Sequence, residues 1–536
     1  MNMFAPSLGD GQKEASNMPA VRALVLPCAV AAALLTIVPR VGGQALQESA
    51  DPAAQYQLAA SLYNTARYRE ALAAYEVATR SDDPALVARA RKGRIRAALR
   101  IAEFELAWRE AGLLNDGTSS DAEARTLLGD ALWAMGRFDE SDLAYRRALD
   151  DAPGNSRARF GLARSLATRN RLDEALGEAL AAAGESPQDP EVHALVGMVY
   201  ERVNRFEESA EAFERYLALL PEPHGREDRQ SSMMAVFESK VRLLRSFHGR
   251  VPLQMDSGAA DRLHRVPFRL VNRKIVMRGR VNRLPVEFVL DTGSERTGIS
   301  DATARRAGIG TITSTLTAGV GIAALRRLDM GRADELEIGT LRIRNVPVAI
   351  RRAIRNALPR WQNESFSPLA LGLSVVVDYE RREVTFARTL PESDADFVLP
   401  MRMNRLPMVR GLLNSTHPAY FVVDTGGELI SISAETADAL SMNPPRRIPL
   451  RVYGMSGIDE HAYLLPGVNV DFDDIEFRNV GLAVLNLRAP SVLLGFQVGG
   501  IVGHRFLSGY RVAMDMARGQ LRLERFGGSA SVAGSR

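Results

Sequence analysis

Two segments of the sequence present a carboxylate in the same setting. FVLDTGS (Phe288–Ser294) and FVVDTGG (Phe421–Gly427) each end an apolar run in Asp-Thr-Gly. The offset that carries Asp291 onto Asp424 also carries Pro285 onto Pro418, Phe288 onto Phe421, Ile299 onto Ile432, Ser300 onto Ser433 and Thr303 onto Thr436. One unit therefore occurs twice. If the copies face each other, the two carboxyls can divide acid–base work: an ionised one takes a proton from water, and a protonated one gives a proton to an acceptor. Gly293 and Gly426 let backbone approach backbone where the loops would meet. A lone Asp-Thr-Gly is as easily a turn, but duplication behind matched apolar runs argues against that reading. Other chemistries find no residues. The seven His form no His-Glu-x-x-His pair, no Gly-x-Ser-x-Gly elbow or P-loop occurs, and the single Cys28 leaves no disulfide, zinc-thiolate or iron–sulfur site. No metal and no cofactor is expected.

The elements that must carry these loops read as β. After Val251 the chain becomes short alternating runs rich in Val, Ile and Leu with Gly and Pro between them. Arg344-Asn345-Val346 follows Asp291, and Arg478-Asn479-Val480 follows Asp424, at spacings that differ by a single position, so the copies stay nearly in register. The boundaries predict one lobe over 264–388, a short polar linker over 389–396, a second lobe over 397–527 and a flexible tail over 528–536.

Over residues 264–527 the two segments resemble the active-site loops of clan AA aspartic proteases in their retropepsin-like form. The resemblance implies two all-β acid-protease lobes, a catalytic pair Asp291 and Asp424, and loop support from Thr292, Gly293, Ser294, Thr425, Gly426 and Gly427. The two Thr hydroxyls would interlock, and Ser294 would offer its hydroxyl to the neighbouring carboxylate, which Gly427 cannot. Ala318-Gly319-Val320-Gly321 and Tyr453-Gly454-Met455-Ser456-Gly457 fall where the family carries flap hairpins, making Gly319, Gly321, Tyr453, Gly454 and Gly457 candidate substrate contacts; Tyr453 also reads as an ordinary strand tyrosine. Gly500-Ile-Val-Gly503 with His504–Leu507 resembles the strand and short helix behind the second loop. In the first copy Leu369-Ala-Leu-Gly372 would supply the strand, with the helix cut down, because Gly372 stands only half as far ahead of Asp378 as Gly503 does ahead of Asp515. His504 reads as a surface residue.

Ahead of the lobes a period of 34 appears. Phe138-Asp-Glu-Ser141, Leu172-Asp-Glu-Ala175 and Phe206-Glu-Glu-Ser209 recur at that period, each preceded by Arg, with Tyr68-Arg-Glu-Ala71 an earlier copy and a slipped unit near Phe104 and Ala107. Gly129, Gly161 and Gly197 mark close helix approaches. The pattern resembles the tetratricopeptide repeat over 51–221, an all-α solenoid, with a capping helix or linker over 222–250 closed by Arg229–His248. It reads either as a surface for a protein substrate or partner, or as a spacer.

The apolar run Ala23–Val38, with Arg22 before it and Gly43 and Ala45 after it, reads as a signal peptide or anchor within 1–45. Of 68 basic residues 4 are Lys, leaving 64 Arg, interleaved with 64 acidic residues at a net charge of +4. That mixture is a solvated surface and argues against nucleic acid. Apolar content of 46% and charged content of 25% exclude wholesale disorder. Together these features predict an exported aspartic endopeptidase of the periplasm or envelope, whose array binds a protein; the alternative is a catalytically silent peptide-binding protein.

Overall fold

The computed structural model describes residues 51–115, 121–221, 229–256, 258, 262–321, 325–352, 363–440, 447–454 and 457–527. The segment 1–45 and the tail 528–536 lie outside the described residues. Among those described, no helix is long and apolar enough to cross a membrane.

The first third forms antiparallel helix pairs: Pro52–Asn64 with Tyr68–Ala78, Pro84–Arg100 with Phe104–Leu114, Ala122–Ala134 with Phe138–Asp151, Ser156–Thr168 with Leu172–Glu185, and Pro190–Arg202 with Phe206–Leu219. Each first helix starts at an acid or amide, Asp51, Asp83, Asp121, Asn155 or Asp189, whose side chain accepts backbone amides of the first turn. The Arg before most second helices pairs with the Glu one turn on (Arg67–Glu70, Arg137–Glu140, Arg171–Glu174, Arg205–Glu208), holding the turn. Within each pair the chain reverses through a left-handed residue, Ala66, Ala102, Gly136, Asn170 or Asn204, with φ between 59° and 72°. The repeat glycines admit a ring: a Cβ on Gly129 or Gly161 would collide with Tyr145, and one on Gly197 with Phe213. Arg229–Arg245 closes the array, Phe237 packing 5.0 Å from Phe213 and 4.6 Å from Tyr216.

Two β lobes follow, and one apolar core runs through both. They share a six-stranded seam, three strands from each: His264–Pro267, Glu383–Ala387 and Ser374–Asp378 from the first, Tyr510–Asp515, Gln520–Arg525 and Phe397–Asn404 from the second. The lobes meet at Val376 opposite Ala513. The linker lies along this seam, the Leu390 and Pro391 carbonyls accepting from Arg518 and Arg522. Asn272-Arg273 and Asn282-Arg283 turn hairpins with φ between 46° and 69° at both residues, the mirror-image turn that suits strand twist.

The array is bolted to the second lobe. Phe138 is fully buried, 4.7 Å from Tyr420 and 5.1 Å from Phe496. Buried Arg402 donates to Asp139 (2.7 Å), Asp142 (3.0 Å), Ser165 (3.1 Å) and Thr168 (3.2 Å). The Gln497 amide donates to the Ala134 carbonyl at 2.7 Å.

Candidate active site

Each Asp loop is placed by a buried strand, Leu284–Leu290 or His417–Val423, running parallel to a short strand behind it. The Asp291 amide donates to the Phe366 carbonyl (2.9 Å) and the Asp424 amide to the Val502 carbonyl (3.0 Å), so both carboxyls are set by equivalent bonds. This corrects the assignment of Leu369-Ala-Leu-Gly372. The strand is Ser365–Phe366, and Leu369–Leu371 is the short helix, a 3-10 turn. Ser367 stands where the second lobe has Gly503, and the stretch from Ser367 to Asp378 is only one position shorter than that from Gly503 to Asp515. The first lobe's support is complete; its strand is polar, so the pattern of two apolar residues and Gly pointed to the wrong stretch.

The two loops lock together about a local two-fold. The Thr292 amide donates to Thr425 Oγ1 (3.1 Å) and the Thr425 amide to Thr292 Oγ1 (3.0 Å). Thr292 Oγ1 then donates to the Val423 carbonyl (2.7 Å) and Thr425 Oγ1 to the Leu290 carbonyl (2.8 Å). Both Thr are 1% exposed, so these neutral bonds carry the loop contact in a dry setting. Across the contact each carboxyl lies on the other loop's glycine: a Cβ on Gly293 would collide with the Asp424 carboxyl, and one on Gly426 would fall 2.9 Å from Asp291 Oδ1. Asp424 Oδ1 accepts from the Gly426 amide at 2.7 Å.

Burial, and then the Asp424 charge, pushes Asp291 up to about 7, against the pull of Arg351, Lys274 and the Gly293 amide. Burial also raises Asp424, opposed by the amides of Gly426, Gly427 and Gly293 and by Lys274. Like carboxyls this close cannot both ionise cheaply, so the pair retains a proton well above the usual carboxylate range.

Sequence reasoning missed two cations here. Lys274, one of four lysines, reaches the Gly426 carbonyl from the other lobe and stands 3.6 Å from Glu428. Arg351 is half-buried beside the first loop, donating to Ser365 Oγ (2.8 Å) and Ser294 Oγ (3.4 Å) in space that Gly298 leaves open. The rarity of Lys is a readable signal for the first; nothing local marks the second. Ser294 differs from expectation, its hydroxyl donating to the Arg296 carbonyl (2.9 Å) and not to Asp291. His504 is buried, not superficial: its ring sits 5.2 Å from Tyr379, and burial lowers its pKa.

A hairpin forms at each place where a flap is expected. Thr313–Thr317 pairs with Arg326–Ile338, and Val452–Gly454 with Gly457–Asp459. Their tips meet: a Cβ on Gly454 would strike the Val320 carbonyl, and one on Gly321, at φ 130°, would fall 2.7 Å from the Gly457 amide. Gly319 lies on this first flap next to Val320. Tyr453 is 57% exposed.

Residues 277–375 and 409–503 match the aspartyl protease family model, and residues 126–190 match a tetratricopeptide repeat model. The chain carries a retropepsin-like aspartyl protease module of two tandem lobes behind a tetratricopeptide array. Solved structures similar to parts of it include the tetratricopeptide protein TTC0263 of Thermus thermophilus, at 18% identity over 32% of this chain and 93% of that one, with a TM-score of 0.29. The aspartic proteinase of Irpex lacteus is 13% identical over 51% of this chain and all (100%) of its own, with a TM-score of 0.31. YrrB, described as a tetratricopeptide protein with an unusual peptide-binding site, is 20% identical over 33% of this chain and 92% of its own, with a TM-score of 0.22. No curated protein matches the chain.

Proposed function

We propose that the protein is an aspartic endopeptidase with Asp291 and Asp424 as its acid–base pair. The observation that supports this best is the interlocked, part-buried pair with raised pKa values, in lobes that also carry two hairpins meeting at their tips. With one proton between them, the ionised carboxyl takes a proton from water as the water oxygen adds to the peptide carbonyl carbon, and the protonated carboxyl gives its proton to the carbonyl oxygen. As the C–N bond breaks, the leaving nitrogen gains a proton from the dyad and the diol returns one, restoring the starting state. The silent peptide-binding alternative rested on a shortened first lobe; Ser365–Phe366 and the turn at Leu369–Leu371 remove that reason for it.

The proposal extends to location. Ala23–Val38 supports export to the periplasm or envelope, cleaved or anchored, and activity of alkaline phosphatase fused after Arg536 tests it. The array would serve as a fixed part of the enzyme that receives a protein segment. Digestion of a peptide library by residues 46–536, with and without a statine-type transition-state inhibitor, tests the central claim. Inhibitor-sensitive cleavage lost in both Asp291→Asn and Asp424→Asn is expected; intact cleavage in either variant would refute the shared dyad.

A further inference from the structure

The two lobes offer a bound chain different walls. Strand register matches Arg351 of the first lobe with Leu485 of the second and Ser365 with Ile501, and Ser294 stands where the second loop has Gly427. On the second lobe this place is apolar. Leu485 belongs to a buried cluster against which Ile501 packs, together with Val320 and Val452 of the two hairpins. The cluster thus reaches from the strand behind Asp424 to the hairpins, and a chain held between the hairpins and the two carboxyls would touch it.

The matching place on the first lobe holds a guanidinium. Arg351 is half-buried, and both of its hydrogen bonds among the described residues leave from Nη2, to Ser365 Oγ at 2.8 Å and Ser294 Oγ at 3.4 Å. Its acceptors there are neutral; Nε and Nη1 have no partner and Arg351 forms no ion pair among those residues. The segment 353–362 that follows carries no Asp or Glu. Burial holds Arg351 below its ordinary value, against the pull of Asp291 and Glu364. Of these, Glu364 already accepts from Ser300 Oγ and Thr303 Oγ1, and Asp291 belongs to the reacting pair. Gly298 makes the room, since a Cβ there would collide with the guanidinium. Beside it, exposed Arg352 and Arg327 share a single carboxylate, Asp329, at 3.4 and 3.6 Å, so the neighbouring surface is positive as well.

We propose that Arg351 is a specificity-determining residue: on the first-lobe side of the scissile bond it seats the carboxylate of a substrate Asp or Glu, with Ser294 and Ser365 bracing the guanidinium, while the second-lobe side takes an apolar residue. The inference rests on Asp291 and Asp424 being the reacting pair. A guanidinium presents a planar fork that meets a carboxylate with two parallel bonds, and one already held by hydroxyls is oriented for it. A neutral amide of the same shape leaves the desolvated cation without a counter-charge, so the site discriminates between the two. Because the dyad retains a proton, its repulsion of a further carboxylate on Arg351 is limited.

Calorimetric binding of statine-centred peptides to the full chain tests this. One pair carries glutamate or glutamine on the amino side of the statine with leucine on the other; a second pair has the sides exchanged. In one pair only, the glutamate member should bind about tenfold tighter or more, by a margin that shrinks as salt rises. Arg351→Gln should bring that ratio to about one, while Arg351→Lys keeps part of it. Taking the ratio within each variant cancels any general effect on folding or on the dyad. Equal binding of glutamate and glutamine in both pairs, the same preference in both pairs, a ratio unmoved by Arg351→Gln, or no binding of any of the peptides would overturn the inference. Should Arg351→Gln fail to fold, Arg351→Lys and the comparison on the unaltered chain decide. The two readings fail separately: library cleavage without an acidic preference beside the cut sinks the role of Arg351 alone, and binding with the expected ratio but no cleavage keeps the seat and sinks the protease reading.

Discussion

Replacing Asp291 by Asn should make the protein more stable at neutral pH while abolishing its proposed activity. The folded-state value of Asp291 is raised from 3.8 to about 7 by burial and then by Asp424. Below about pH 4 both folded and unfolded chains hold the proton, and the carboxyl costs nothing. As pH rises toward 7 the unfolded chain has released the proton and the folded one has not, so stability is lost progressively across that window. At about 1.4 kcal/mol for each tenfold in proton affinity, the ceiling on the loss above pH 7 is roughly 4 kcal/mol. Asn keeps the shape and cannot ionise. Urea midpoints of the wild type and Asp291→Asn should therefore coincide near pH 4 and separate in favour of the variant by pH 8, with cleavage down by on the order of 10²–10⁴. A variant less stable than the wild type at pH 8, or a difference that does not change with pH, would refute the proton-sharing pair.

Arg402→Met should loosen the array from the second lobe. It strips a buried cation from Asp139 and Asp142, costs about 3 kcal/mol, and should speed native-state thermolysin cleavage by on the order of 100-fold. Arg351→Met removes the cation beside the first loop and should move the whole pH–activity profile upward by about one unit, whereas Arg351→Lys should largely hold it; an unmoved profile would show that Arg351 is only packing. Gly454→Ala places a methyl against the Val320 carbonyl, so the flaps should part and KM should rise roughly tenfold with the urea midpoint unchanged.

The duplicated loops and the repeat period are local patterns, and the fold follows them because each names its own partner: an Asp loop needs its twin, and a helix pair needs the next pair. What stays hidden is set by contacts between distant segments. Phe138 reads as one more repeat anchor, yet its ring is buried against Tyr420 and Phe496. Arg402 is one of 64 arginines, and only the array's placement makes it a buried hub. The strand behind Asp291 escapes a reading by pattern because Glu364-Ser-Phe-Ser367 does not look like a core strand. Its polarity is satisfied in space: Glu364 accepts from Ser300 Oγ (2.8 Å) and Thr303 Oγ1 (2.5 Å), and Ser365 from Arg351.

Strand register shows where the two copies have diverged. Matching pairs place Arg351 at the position of Leu485 in the second lobe, Glu364 at that of Gly500, Ser365 at that of Ile501, and Lys274 at that of Leu406. With Ser294 against Gly427 and Ser367 against Gly503, each of these differences puts the polar or charged residue in lobe 1 and the small or apolar one in lobe 2. A dyad built from identical halves would have no reason to prefer either carboxyl for the proton. Here the cation Arg351 faces Asp291, while Lys274 crosses to the Asp424 loop and acts on both carboxyls. Arg351 thus favours the ionised form on Asp291 over Asp424, which opposes the burial that raises it, and the balance between the two fixes which carboxyl takes the proton from water.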